Sequence, residues 1–334
     1  MLHALPRLCA ICLFLLFMTP SIATAAPYHA PSHWFFNART QLVVGTVSDL
    51  VDGRVQLVDV ETLHSRDPLP IPMQIHLPVW AAQSLQKGTR YVLAYSIFTG
   101  NNMQKGQYLI DTRGPQILQG DGMSPAIYRA DPQLLAWIGV DAKRAAKQLL
   151  PIVMSGLASQ DGQLQDLYAA ELRFAKGMTA LLGPQERVRL RGYLRDPNFH
   201  PSARAHLLQV LADDSDAEIK ASVGAILRTA RGAGYVGESP NESTLLSFAL
   251  DLATRRKLAL DPHDLTRMVA ADSAIISEWA LFNLRLSGGS TEQDALHSVL
   301  AQTLLAPDTR AFLLDHQRRT AASNQSPSIK RETP

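Results

Sequence analysis

Beyond about residue 130 the apolar positions fall three and four apart, and before residue 118 they mostly alternate. That change of period divides the chain into two unlike halves. The clearest helical stretch is 185–234, where Val188, Leu190 and Leu194 form one stripe and Leu207, Val210 and Leu211 a second. Ile219, Val223, Ile226, Leu227 and Ala230 form a third. Each set lies on one face of its helix and needs a neighbour to cover it, which predicts a stack of helices. Local signals mark further helices. Asp131-Pro132 and Asp261-Pro262 pair a capping carboxylate with proline at the first helical position. Ser215–Glu218, Ser239–Glu242 and Ser290–Gln293 read as capping boxes. A helix over 142–150 is expected to stop at Pro151, and one bearing Leu164, Leu167, Leu172, Ala175 and Met178 to run on towards Gly183. Ile275, Ile276, Trp279 and Leu286 mark a helix ending at Gly288-Gly289.

The first half reads as strands. Residues 42–48 and 55–63 flank Asp52-Gly53, a dipeptide suited to a tight hairpin. Residues 73–77, 90–98 and 107–112 give three more, with a short helix over 78–86 between the third and fourth. Tyr91, Leu93, Tyr95 and Ile97 alternate, the pattern of a strand with one buried side.

Five strands with a helix between the third and fourth resemble the OB-fold and, more loosely, its netrin-like relatives. The resemblance covers about residues 40–118 and implies a small, partly open Greek-key barrel that binds through strands two and three and two loops. The serial helices resemble HEAT-type repeats, most clearly over 185–234. The expected fold class is therefore α+β in two domains, an OB-like barrel and an irregular HEAT-like helical-repeat domain. The boundaries are a signal peptide at 1–25, the barrel at 26–122, the helical domain at 123–319 and a disordered polar tail at 320–334.

Arg7, the apolar run 8–18, Pro20 and Ala23-Thr24-Ala25 make up the targeting segment, too short to span a bilayer. Both cysteines, Cys9 and Cys12, lie within it. The exported chain is then free of disulfides, thiolate metal sites and cysteine nucleophiles, with no integral membrane anchor after cleavage. The expected location is periplasmic or secreted. A formal net charge of +2, with 46% hydrophobic and 19% charged residues, predicts a folded protein with no bulk attraction to nucleic acid. Asp59 and Glu61 on the second strand also oppose a polyanion.

The chain lacks the zincin, nucleophile-elbow, phosphate-loop, dinucleotide and EF-hand motifs, and no cofactor is expected. Arg187, Arg191 and Arg195 recur every four residues, either as a solvated helix face or as a dock for an acidic partner. Asp213, Asp214, Asp216 and Glu218 lack the glycine turn and bidentate Glu of a calcium loop and suit a helix start. His29 and His33 offer imidazoles near a new terminus, a candidate Cu(II) or Ni(II) site against the simpler reading of incidental leader histidines. Trp34, Phe35 and Phe36 are expected to anchor the leader to the barrel. Three functions follow: a non-enzymatic scaffold that binds an envelope protein on its helical surface, recognition of an envelope glycan by the barrel through Asn101, Asn102 and Lys105, or an enzyme acting on cell-wall polymers. A pocket with two convergent carboxylates would favour the third.

Overall fold

The computed structural model describes residues 29–36, 40–51, 53–64, 73–77, 82, 85–99, 113–117, 126–139, 146–230 and 240–325. A short helix, α1 (Pro31–Phe35), precedes six strands: β1 (Gln41–Val51), β2 (Arg54–His64), β3 (Met73–His76), β4 (Arg90–Thr99), β5 (Arg113–Ile117) and β6 (Ile127–Arg129). The ladders run β1–β2, β2–β3, β3–β5, β5–β4 and β4–β1, with β6 added to β4. Only β3–β5 is parallel. Val51 faces Arg54 across the two-residue hairpin, with Gly53 at φ 72°. Midway along this pair two residues of β2 oppose one of β1: Val44 meets Glu61 and Thr46 meets Val58. Asp59 takes φ 50° there, and a Cβ on Gly45 would stand 3.2 Å from Val60 Cγ2. Such a bulge bends and twists β2, the strand that carries the extra residue.

The helical half follows as α2 (Pro132–Ile138), α3 (Ala146–Gly156), α4 (Gly162–Phe174), a 3₁₀ turn (Thr179–Leu181), α5 (Pro184–Arg195), α6 (Pro201–Val210) and α7 (Asp216–Thr229). It ends with α8 (Pro240–Arg255), α9 (Pro262–Val269), α10 (Ala274–Ser287), α11 (Gly289–Leu300) and α12 (Pro307–Gln325). From α4 onward the helices form two rows. Helices α4, α6, α8, α10 and α12 pack successively in one, and α5, α7, α9 and α11 in the other, with cross-contacts between the rows. This is the α+β, two-part architecture expected from the change of period. One apolar cluster runs from Val43, Leu57 and Tyr95 through Phe35, Trp137 and Tyr168 into the helices, so sheet and stack share a core. Among the described residues no helix is long and apolar enough to cross a membrane.

Several expectations change. Strand β4 has Val92 and Ala94 buried as fully as Tyr91, Leu93 and Tyr95, so both of its faces are covered. Strand β6 lies past residue 122 yet belongs to the sheet. Helix α3 runs through Pro151. Only one bond is forfeited there, to the carbonyl of exposed Lys147 in the first turn. Helix α4 ends at Phe174, where Ala175 turns extended and Gly177 takes φ 78°. Val188 is 61% exposed, although Leu190 and Leu194 are buried. Ser290 caps nothing: Gly288, at φ 142°, is the residue before α11, and Glu292 turns to Arg285. The expected strand at 107–112, nearly all of the helix at 78–86, the loop at 100–106, Ser239 and the last residues of the tail lie outside the described residues.

Candidate functional site

The basic stripe and the acidic cluster meet. Helix α5 aims its arginines at the turn before α7 and at that helix's first residues. Arg187 grips Asp213 with two nitrogens, at 2.9 and 3.1 Å, and reaches Asp214 at 2.6 Å. Arg191 holds the other oxygen of Asp214 at 2.9 Å, and Arg195 holds Glu218 at 2.7 Å. From the turn just after α8, Arg256 bonds Asp216 at 2.6 Å and the carbonyls of Asp214 and Ala212. The hydrogen bonds from Arg187 hold the Asp213 carboxyl below the usual carboxylate range, and those same bonds raise the Arg187 guanidinium. The stripe is thus no free solvated face, and the acids are accounted for by arginines and by the Ser215 cap, whose hydroxyl accepts from the Glu218 amide.

Beside this ladder an open cleft of about 790 Å³ is lined by Arg173, Arg187 and Arg256, with Asp213, Thr179 and Gln209. Helices α4 and α5 supply Arg173 and Arg187, and the turn just after α8 supplies Arg256. Arg173 lies 4.6 Å from the Phe174 ring centre and 5.7 Å from that of Phe248. Its Nη1 is 3.2 Å from His206 Nδ1. A guanidinium only donates, so that contact makes Nδ1 the acceptor and leaves the ring proton on Nε2, which faces Asp166 at 3.6 Å. Asp166, His206 and Arg173 therefore brace α4 against α6 from beneath the cleft.

A second cleft, about 800 Å³, lies where the sheet meets the helices, lined by Tyr91, Arg129, Asp131, Ser159, Asp161 and Gln163 among others. Its two carboxylates are helix caps. Asp131 accepts from the amides of Gln133 and Leu134, and Asp161 from those of Gln163 and Leu164. Arg129 stands 3.7 Å from Asp161 and donates to Gln86 at 2.9 Å.

The leader is tied to the helices as well as to the sheet. Ser32 gives its amide and its hydroxyl to the two oxygens of Glu171 on α4, at 2.9 and 2.8 Å. Glu171 is fully buried, and burial raises its pKa against the lowering effect of the Ser32 bonds. Phe35 meets Tyr128 edge-on at 6.0 Å and Trp137 at 5.5 Å. His29 and His33 stack at 4.3 Å with rings 19° apart. Among the described residues no three His, Cys, Asp or Glu side chains gather in a metal-binding group. Asn101, Asn102 and Lys105 lie outside the described residues. Tyr91 and Tyr95 are buried, so their rings offer no stacking face to a sugar.

The sequence reading missed the Glu171 clasp, whose signal was an acid at apolar spacing from Leu164 and Leu167. No family model, no curated protein and no solved structure matches the chain.

Proposed function

We propose that the chain is an exported, non-enzymatic interaction protein of a bacterial envelope, whose helical half holds an acidic segment of a partner protein. The observation that carries this reading is the arginine cleft. Asp213, its side chain 70% exposed, already rests on Arg187 as a partner's carboxylate would. The two rows of packed helices support a HEAT-like stack, an architecture that offers long continuous surfaces. The circuit of ladders from β1 through β2, β3, β5 and β4 back to β1 supports an OB-like barrel leading it.

The test uses protein lacking residues 1–25, crosslinked in envelope extract and then titrated with an acidic peptide from the captured partner. Asp213→Ala frees Nη2 of Arg187 while Nη1 keeps its bond to Asp214, and a charge-assisted hydrogen bond contributes about 1.5–3 kcal/mol. Binding should tighten roughly tenfold in that variant, since about 1.4 kcal/mol is a factor of ten. Arg187→Ala should weaken binding. Recovery of no envelope protein, or an Asp213→Ala variant that binds as before, rejects the reading.

A second reading, recognition of an envelope glycan, draws support from the junction cleft, whose rim of Ser159, Gln160, Gln163 and Arg129 suits a polyhydroxyl ligand. Glycan-array binding that is lost in Gln160→Ala and Gln163→Ala would favour it over the first.

A further inference from the structure

Helix α10 carries two apolar faces. Ile276, Ala280, Leu281 and Leu284 are buried in the stack. The opposite face is turned to solvent: Ile275 is 60% exposed, Phe282 43% and Leu286 47%, with Trp279 partly buried between them. Spacings of four, three and four place these on one stripe. Glu278 and Arg285, two turns apart, border it on a single edge. Glu278 has no hydrogen-bond or ion-pair partner among the described residues. Arg285 gives Nε and Nη2 to Glu292 at 2.8 and 2.7 Å, which leaves Nη1 over.

The spacing reads the same in reverse. A second α10 laid antiparallel across a two-fold axis meets the stripe in register, Ile275 against Leu286 and Trp279 against Phe282 of the other copy. The same operation brings Glu278 of each copy towards Arg285 of the other, whereas a parallel two-fold pair puts the two charged edges on opposite sides, where they do not meet. We propose that α10 is a self-association face on which a second copy of this chain docks antiparallel. The stripe alone is smaller than the roughly 800 Å² per partner of a stable complex, so the dimer forms in a concentration-dependent way. This surface is separate from the arginine cleft.

The chain beyond residue 25 contains no cysteine, so single cysteines report the geometry cleanly. Protein carrying Ile275→Cys, mixed with protein carrying Leu286→Cys, should form a mixed disulfide on mild oxidation, and neither should crosslink with itself. Sedimentation across a concentration series should show monomer and dimer for the unaltered protein. Association should weaken about tenfold or more in Phe282→Glu, as for loss of an interface anchor. All these positions are exposed, and an unchanged circular-dichroism melt confirms the fold. A monomer at every concentration, a dimer that survives Phe282→Glu, or an Ile275→Cys protein that crosslinks with itself overturns the proposal. So does a different protein found covering the stripe while this chain stays monomeric.

Discussion

Glu171 is a carboxyl shut away from water, and the only described groups bonded to it are the amide and hydroxyl of one serine. Two neutral donors do not repay the loss of hydration of a full negative charge, so burial raises the pKa of this carboxyl above that of the unfolded chain. A carboxyl raised in the folded state releases its proton more readily from the unfolded chain. Its contribution is therefore complete at low pH and lost as pH rises through the folded value. Thermal melts should show stability falling above the ordinary glutamate range, and Glu171→Gln should flatten that part of the profile. An unchanged slope in that variant would mean the carboxyl is already ionised. The residues legible in advance were those whose chemistry is local. Asp131, Asp261 and Ser215 bond amides two or three positions on, and their neighbours in the chain announce it. Ser32 and Glu171 are 139 positions apart, and nothing near either names the other.

At the scale of elements, α3 and α4 meet through the closest contact available to them. A Cβ on Gly156 would stand 2.3 Å from the ring of Tyr168, far inside any tolerated approach. Gly156→Ala should force the helices apart and cost about 1–3 kcal/mol, the usual penalty for overpacking. Tyr168→Phe should cost nothing, because the buried hydroxyl has no hydrogen-bond partner among the described residues. Chemical denaturation of both variants tests the pair; a Tyr168→Phe protein weakened by 1 kcal/mol or more would reveal a partner for that hydroxyl. Helices were legible where one face alone was apolar, as at Leu190 and Leu194. Periodicity misled at Val188, which shares the apolar residue type but not the buried face. It also merged the two faces of α10 into one, because Ile275 and Ile276 are adjacent and equally apolar while only Ile276 is covered. Pro151 was read as a stop because its cost inside a helix is large, but near a helix start the forfeited bond belongs to a carbonyl close to the end.

Across the whole molecule, the sheet does not finish where its sequence pattern does. Strand β6 and Trp137 come after residue 122, yet β4 pairs with the first and Phe35 packs on the second. A fragment of residues 26–122 should melt several degrees below one of residues 26–139. Uncovering Phe35 alone forfeits up to about 1.5–3 kcal/mol of burial, and about 1 kcal/mol shifts the midpoint of a small domain by roughly 4–8 °C. Equal midpoints would show the shorter piece to be self-sufficient. The two-part plan was readable because helix and strand periods differ; the seam was not, because it is built from pairs such as Phe35 and Trp137 that are distant along the chain. The clasp between Ser32 and Glu171 also imposes an order of events. A chain emerging amino end first must wait for α4 before its leader can fasten, and until then the Phe35 ring lacks its final cover. Whatever shelters the nascent protein must therefore guard its beginning until the middle has arrived.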